Sequence, residues 1–428
     1  MDNTTQIKKK RFQRVEAKLA KQRIFGIIIF AIGIFLWLVL AETTARDANT
    51  LFVMTPGGSS VVSPDFNFNS FTMILILAIL CMIAGIVQFF KGFGKFTNAL
   101  LVFVGIMLTI SFLAWGASGG SINVGGMLRI MIMRSIAIVL GALSGILCER
   151  AGVTNIAIEG MMITGALVGA VCGSLWGLWA GVLAAIIAGG LISIAHGILS
   201  IKFKVDQIIS GTIINIFTIG LTSYIVTKIL QEREWQYLNE SGIFMPYSIP
   251  VLSEIPYIGP ILFNHNIFVY SMYILVVVLT IVLFRTKWGL RLRAVGEHPK
   301  AADTLGINVF GIRYLAVILS GMLAGFAGSY FSLGSAGYFN QSMTAGRGFI
   351  ALAAMIFGNW TPVGSLGAGL LFGFSEALAT NLNLLGVPIP SDILEMVPYV
   401  LTMVVLAGVV GRSRGPAAAG TPYEKESL

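Results

Sequence analysis

The chain has 428 residues, 56% of them hydrophobic and 11% charged, with a mean hydropathy of +0.87. Soluble domains carry charge on about a quarter of their residues, so this composition excludes one and points to a polytopic helical membrane protein. The net charge of +9 does not argue for nucleic acid, because much of it borders apolar runs, where Lys and Arg mark the cytoplasmic side.

Residues 1–23 form a basic arm with Lys8, Lys9, Lys10, Arg11, Arg14, Lys18, Lys21 and Arg23, and 24–40 is the first apolar span. No convincing cleavage site follows, although Ala41 is near, so an uncleaved helix with a cytoplasmic N-terminus is expected rather than a signal peptide. The loop 42–70 has one basic residue, Arg46, and reads as outside. Spans at 71–90 and 99–115 follow, with Lys91 and Lys95 marking the inside between them. The glycine-rich 116–127 reads as a flexible outer connection. Arg129 and Arg134 then read as part of a segment lying along the interface before 136–148 dips in to Glu149 and Arg150.

Next comes 156–171, short and containing Glu159, with Gly165, Gly169 and Gly173 on one helix stripe for close packing. Spans at 175–199 and 208–230 lead to the longest outer loop, 231–266, and 267–284 returns. Beyond 314–331, the segment 349–357 is too short to span, at about 1.5 Å per residue. With 366–379 it reads as a broken or re-entrant pair. The last span is 393–410, and Arg412 and Arg414 keep the tail inside. The count is about ten to twelve transmembrane or half-membrane helices, an all-α fold with both termini cytoplasmic. Paired short segments in the two halves lead us to expect an inverted repeat.

Ionisable residues within spans are functional candidates, and Glu159 is the clearest, Glu376 the second. Glu159 fits either a cap at a half-helix N-terminus or a pathway wall. Asn155 reads as an N-cap. Asn215 fits a bond to a neighbouring helix or to a passing hydroxylated solute, and Trp360 reads as packing. Cys81, Cys148 and Cys172 show neither a CxxC pair nor metal spacing and read as packing residues.

Between two spans lies the polar stretch 285–313. Glu297, His298 and Pro299 open what reads as a two-turn helix, with proline suited to a first turn. It carries Ala301, Ala302 and Leu305 and stops at Gly306, which can take the left-handed C′ conformation. Ala302, small and read as outward-facing, suits a docking knob; a basic loop that only sets topology is the alternative. Nothing looks catalytic: Gly-x-Ser-x-Gly, HExxH and GxxxxGK[ST] are absent, and three histidines are too scattered for a metal site. No cofactor is expected in this chain, and if ATP drives transport another chain binds it.

Three stretches carry a family resemblance. AVGEHPKAADTLGI at 294–307 resembles the coupling-helix loop of ABC-importer permeases of the branched-chain amino acid, ribose and nucleoside group. ERAGVTNIAIEGMM at 149–162 and GNWTPVG at 358–364 are similar to the nucleoside and simple-sugar branch. The resemblance spans about 128–411 and leaves out the first hundred or so residues. It implies an ABC-importer permease fold in a domain at 128–411 with the coupling loop 285–313; the charge and apolar pattern outside it gives a cytoplasmic tail 1–23, a transmembrane extension 24–127 and a cytoplasmic tail 412–428. It also implies partners: ATP-binding subunits docking on Glu297, His298, Pro299, Ala301, Ala302, Leu305 and Gly306, a second permease, and an extracytoplasmic binding lipoprotein. The setting would be a prokaryotic plasma membrane, the solute a nucleoside or simple sugar, and Asn155, Glu159 and Asn215 the pathway candidates. A branched-chain amino acid permease is the alternative, and a secondary transporter the more distant one.

Overall fold

Apolar runs separated by polar loops fold as helices, because only a helix satisfies its own backbone in hydrocarbon. Ten helices in the computed structural model are long and apolar enough to cross a membrane, counted among the described residues. Those are 3–387, 390, 393, 396 and 414–425, with side chains from Leu19 onward. The chain divides into one unit of Met1–Gly126 with Asn381–Ile389 and another of Met127–Thr380 with Pro390–Leu428.

In the first unit the basic arm is not a separate tail but the opening of α1 (Asn3–Phe35), which continues through a π-helical turn, Leu36–Ala41. The loop that follows contains β1 (Asn49–Val53) and β2 (Phe66–Asn69). α2 (Ser70–Phe90) is capped by Asn69, whose Oδ1 accepts from the Thr72 N–H at 2.9 Å. α3 (Thr97–Gly116) leads to β3 (Ser121–Asn123). The strands form a sheet in the order β2-β1-β3, antiparallel then parallel, with Leu51 opposite Asn67 and Ser121. The glycine-rich connection is therefore paired to the first loop. Thr50, fully buried in β1, ties the sheet to the helices through Ser70 Oγ (2.6 Å) and the Ala114 carbonyl (3.1 Å).

The second unit continues α4 (Val124–Glu149), a single helix of 26 residues. Arg129 and Arg134 sit within it, so no separate interfacial segment exists: the polar pair interrupts the hydropathy but not the helical backbone. α5 (Ile158–Trp176) has 19 residues, about 28 Å, and is long enough to cross. The expectation of a short segment here fails, because the glycines that looked like interruptions lie inside a continuous helix. α6 (Leu178–Gly197) and α7 (Gln207–Ile225) each end in a π-helical turn. The long loop then holds β4 (Tyr247–Ser248), α8 (Ile258–Leu262) and β5 (Asn264–His265), with β4 and β5 paired antiparallel.

α9 (Ile267–Arg285) leads into α10 (Lys287–Glu297) and the short α11 (Pro299–Thr304). α12 (Val309–Ser329) runs on through a π-helical stretch, Tyr330–Ala336. α13 (Arg347–Phe357) has 11 residues, about 16 Å, and cannot cross alone. α14 (Pro362–Leu384) can. Of the two segments read as short, α13 alone is so, and the sequence sign of an inverted repeat keeps one of its two members. The expected span 393–410 and Arg412 lie outside the described residues.

The core of the second unit is α5, α6 and α12 pressed backbone to backbone. A Cβ on Gly189 would run into the Gly321 carbonyl, and one on Gly328 into that of Met162. Without a hydrophobic drive between helices in lipid, such contact supplies the dispersion energy that holds them.

Candidate functional site

The start of α5 gathers the three pathway candidates Asn155, Glu159 and Asn215. Glu159, 3% exposed, sits in the first turn of α5, where its own helix dipole favours a carboxylate. Its side chain also reaches the start of α13. Oε1 accepts from Thr344 Oγ1 (2.6 Å) and from the Gly346 N–H (2.9 Å), and Oε2 from the Gly348 N–H (2.6 Å). Gly346 is the N-cap of α13, so one carboxylate satisfies orphan donors of a second helix as well. A Cβ at Gly348 would lie 2.6 Å from the Glu159 backbone, so the approach requires glycine.

Asn215 of α7 is equally engaged. Its Oδ1 accepts from the Gly160 N–H (2.8 Å) and its Nδ2 donates to the Ile156 carbonyl (2.9 Å). Asn155 accepts from the Ala157 N–H (3.0 Å) and donates to Ser320 Oγ of α12 (3.0 Å). The N-cap of α5 is Ala157, so Asn155 forms an Asx turn two residues before it rather than the cap expected. The three residues thus fasten the start of α5 to α7, α12 and α13.

A second cluster surrounds α11. Glu297 does not open this helix but ends α10, and His298 is the N-cap, its Nδ1 accepting from the Ala301 N–H at 3.1 Å. Pro299 takes the first turn. Gly306, at φ +76°, closes the helix with a Schellman motif: its N–H donates to the Asp303 carbonyl (2.9 Å) and that of Ile307 to Ala302 (3.1 Å). Ala302 is 2% exposed and packs with Val295, Val309 and Tyr423, contrary to the outward position expected. A helix this short buries one face only, and Ala302 is on it. Ala301 points outward, and Leu305 is 81% exposed at the tip.

The three signature stretches meet here. Trp360 Nε1 donates to Glu149 Oε2 (2.6 Å), and the Trp360 carbonyl accepts from Arg150 Nε (3.1 Å) and Nη2 (3.0 Å). Asn359 and Trp360 both have positive φ, 53° and 51°. For a Trp that conformation costs about 1–3 kcal/mol, which these bonds offset. Gly296 lies so close to the Arg150 carbonyl that a Cβ would collide with it. Burial lowers the Arg150 pKa, while Glu297 raises it and Arg293 lowers it.

Sequence reasoning missed the role of residues 414–425, read only as a tail. They thread across this cluster: the Ala418 N–H donates to the Gly296 carbonyl (2.9 Å), that of Ala417 to Glu297 Oε2 (3.3 Å), and Arg313 Nη1 to the Thr421 carbonyl (3.2 Å). Lys204 pairs with Glu424 at 2.5 Å and holds its carboxyl below the usual range. The buried Arg313, 1% exposed, was likewise not singled out. A lone basic residue at a span boundary looks like a topology marker, and only its packing shows otherwise.

Residues 127–421 match the family model described as "Branched-chain amino acid transport system / permease component". The chain is 41% identical over 301 residues to the guanosine ABC transporter permease protein NupQ of Bacillus subtilis, covering 67% of this chain and 93% of that one. It is 37% identical over 305 residues to the nucleoside ABC transporter permease protein NupC of Lactococcus lactis, covering 69% and 95%. The putative glucose ABC transporter permease protein TsgC13 of Haloferax volcanii is 33% identical over 329 residues, covering 70% and 98%. No solved structure matches. With ten helices among the described residues long and apolar enough to cross a membrane, the chain belongs to the branched-chain amino acid transport system permease family and is a multi-pass ABC-importer permease.

Proposed function

We propose that this permease carries nucleosides across a prokaryotic plasma membrane, driven by ATP that a separate ATPase subunit hydrolyses. The observation that carries the solute is the identity of 41% and 37% to permeases named for guanosine and nucleosides, over nearly their whole length. The chain is also 25% identical to the guanosine ABC transporter permease protein NupP of Bacillus subtilis, which has NupQ as a relative in the same organism, and this supports a second, paralogous permease as partner. A binding lipoprotein on the outer face would deliver the solute.

In this reading the α11 end of the bundle is cytoplasmic and α11 is the coupling helix. Leu305 is the docking knob in this reading, because it stands 81% exposed at the tip of α11, within the loop that resembles a coupling helix. The Schellman end and the buried Ala302 make α11 rigid. α10, the Glu149–Trp360 junction and residues 414–425 would pass its displacement to α4, α12 and α14. Two states of the bundle, biased by ATPase closure, then open the pathway alternately. The test is uptake of labelled guanosine into proteoliposomes holding the assembled importer, with unlabelled glucose and leucine as competitors. ATP-dependent uptake that guanosine alone competes supports the reading. Competition by glucose, the solute named for TsgC13, would move it to sugars, and competition by leucine to amino acids.

A further inference from the structure

Three charged side chains lie at one level of the second unit, among apolar spans. Arg347 Nη2 donates to Glu376 Oε2 at 2.9 Å, and each side chain is 16% exposed. The Arg347 guanidinium lies over the Phe331 ring at 5.6 Å. Tyr330 lies beside Phe331, their ring centroids 5.7 Å apart, and α14 meets α4 next to Arg134, where a Cβ on Gly373 would lie 2.5 Å from the Met131 carbonyl and 3.0 Å from Ser135. Arg134 is exposed and, among the described residues, has no hydrogen bond or ion pair.

The depth of these groups follows from helix rise. α14 begins beside Arg150 at the far end of α4, because the Trp360 carbonyl is bonded there. Arg134 then lies about 15 Å from the start of α4, Glu376 about 12 Å from the end of α14, and Tyr330 about 9 Å short of Ala336. All three distances run from the same end of the bundle. A guanidinium with no partner among the described residues costs several kcal/mol against hydrocarbon at such depth, so the face that carries it meets water or polar groups. Helix faces that meet lipid look different, as on α6, where Ile187 is 59% exposed.

We infer that Arg134 and the Arg347–Glu376 pair form a polar station on the solute pathway and take the vicinal hydroxyls of a neutral nucleoside. A carboxylate accepts two adjacent hydroxyls and a guanidinium donates to their oxygens. Phe331 holds the Arg347 plane in place from behind. The inference rests on the nucleoside reading and deepens it.

The test uses the assembled importer in membrane vesicles, its permease carrying Cys81→Ala, Cys148→Ala and Cys172→Ala. Arg134→Cys should react with a charged thiol reagent at least about tenfold faster than Ile187→Cys, because lipid excludes the charge. Saturating guanosine should slow that reaction several-fold. In uptake, Glu376→Gln should narrow the preference for guanosine over 2′,3′-dideoxyguanosine by about tenfold, the loss of a charged acceptor for the hydroxyls. Labelling at the Ile187→Cys rate, labelling indifferent to guanosine, or an unchanged preference would each overturn the inference. A wild-type importer that fails to take up guanosine would instead overturn the nucleoside reading, and the rate comparison would still report whether water reaches Arg134.

Discussion

Glu159→Gln is the substitution that best separates a structural role from a pathway role at the start of α5. The carboxylate accepts three hydrogen bonds, two from backbone N–H groups of the turn that opens α13. Bonds to a charged acceptor contribute about 1.5–3 kcal/mol each, and a carboxylate at a helix N-terminus adds up to about 2 kcal/mol. Glutamine keeps one acceptor oxygen and turns an amide donor toward an N–H or hydroxyl donor. The loss should be about 3–4 kcal/mol, and α13 should bear most of it because its first turn has few other partners. Amide exchange of residues 350–354 in the solubilised protein should then speed up by about a hundredfold or more, at 1.4 kcal/mol per factor of ten. The amides of α6, remote from the carboxylate, should hardly change. Exchange of α13 within threefold of wild type would refute the reasoning. If uptake were then also lost, Glu159 would act on the solute rather than on α13.

Three further outcomes follow from the same geometry. Leu305→Asp should cut co-purification of the ATPase and uptake while the permease still inserts; Lys300→Ala, an exposed charge, should matter by less than about 1 kcal/mol, and normal uptake by Leu305→Asp would remove Leu305 from the docking surface. Ala302→Trp overfills the contact with Val295, Val309 and Tyr423 and should destabilise α11 by about 1–3 kcal/mol, read as faster proteolysis between α10 and α12, whereas unchanged proteolysis would mean that Ala302 faces out. Burial pushes the pKa of His265 down to about 4, while its Nε2 lies 2.7 Å from the Ile261 carbonyl. Its unfolded value is about 6.5, so its contribution is whole above that pH and is lost as pH falls toward 4, by about 2 kcal/mol at pH 5. Thermal stability of the solubilised protein should therefore drop more steeply below pH 6.5 than that of His265→Gln, and parallel curves would contradict the assignment.

Much of the fold is legible residue by residue. The span boundaries follow from runs of apolar residues, as α2 and α9 illustrate, because hydrocarbon thickness fixes how many such residues a helix needs. The α11 ends are legible for the same kind of reason: Pro299 and Gly306 act through their own backbone preferences. The full length of α5 is not legible in this way, because its glycines lower local hydropathy, although in the bundle Gly165 allows the contact with Gly325.

What the sequence by itself determined is therefore local: a multi-pass helical chain, the short helix in the loop between two spans, and three signature stretches that point to an ABC-importer permease. The tertiary structure alone decided which polar groups meet. Glu159 finds Gly348 across 189 residues and Glu149 finds Trp360 across 211. It also decided that Ala302 turns inward while Leu305 stands out. The physical reason is that a carboxylate in an apolar span must find donors, and nothing in its neighbours along the chain says which helix will bring them. That choice belongs to the packing of small residues across the bundle, where the covering of one face and the exposure of another are settled together.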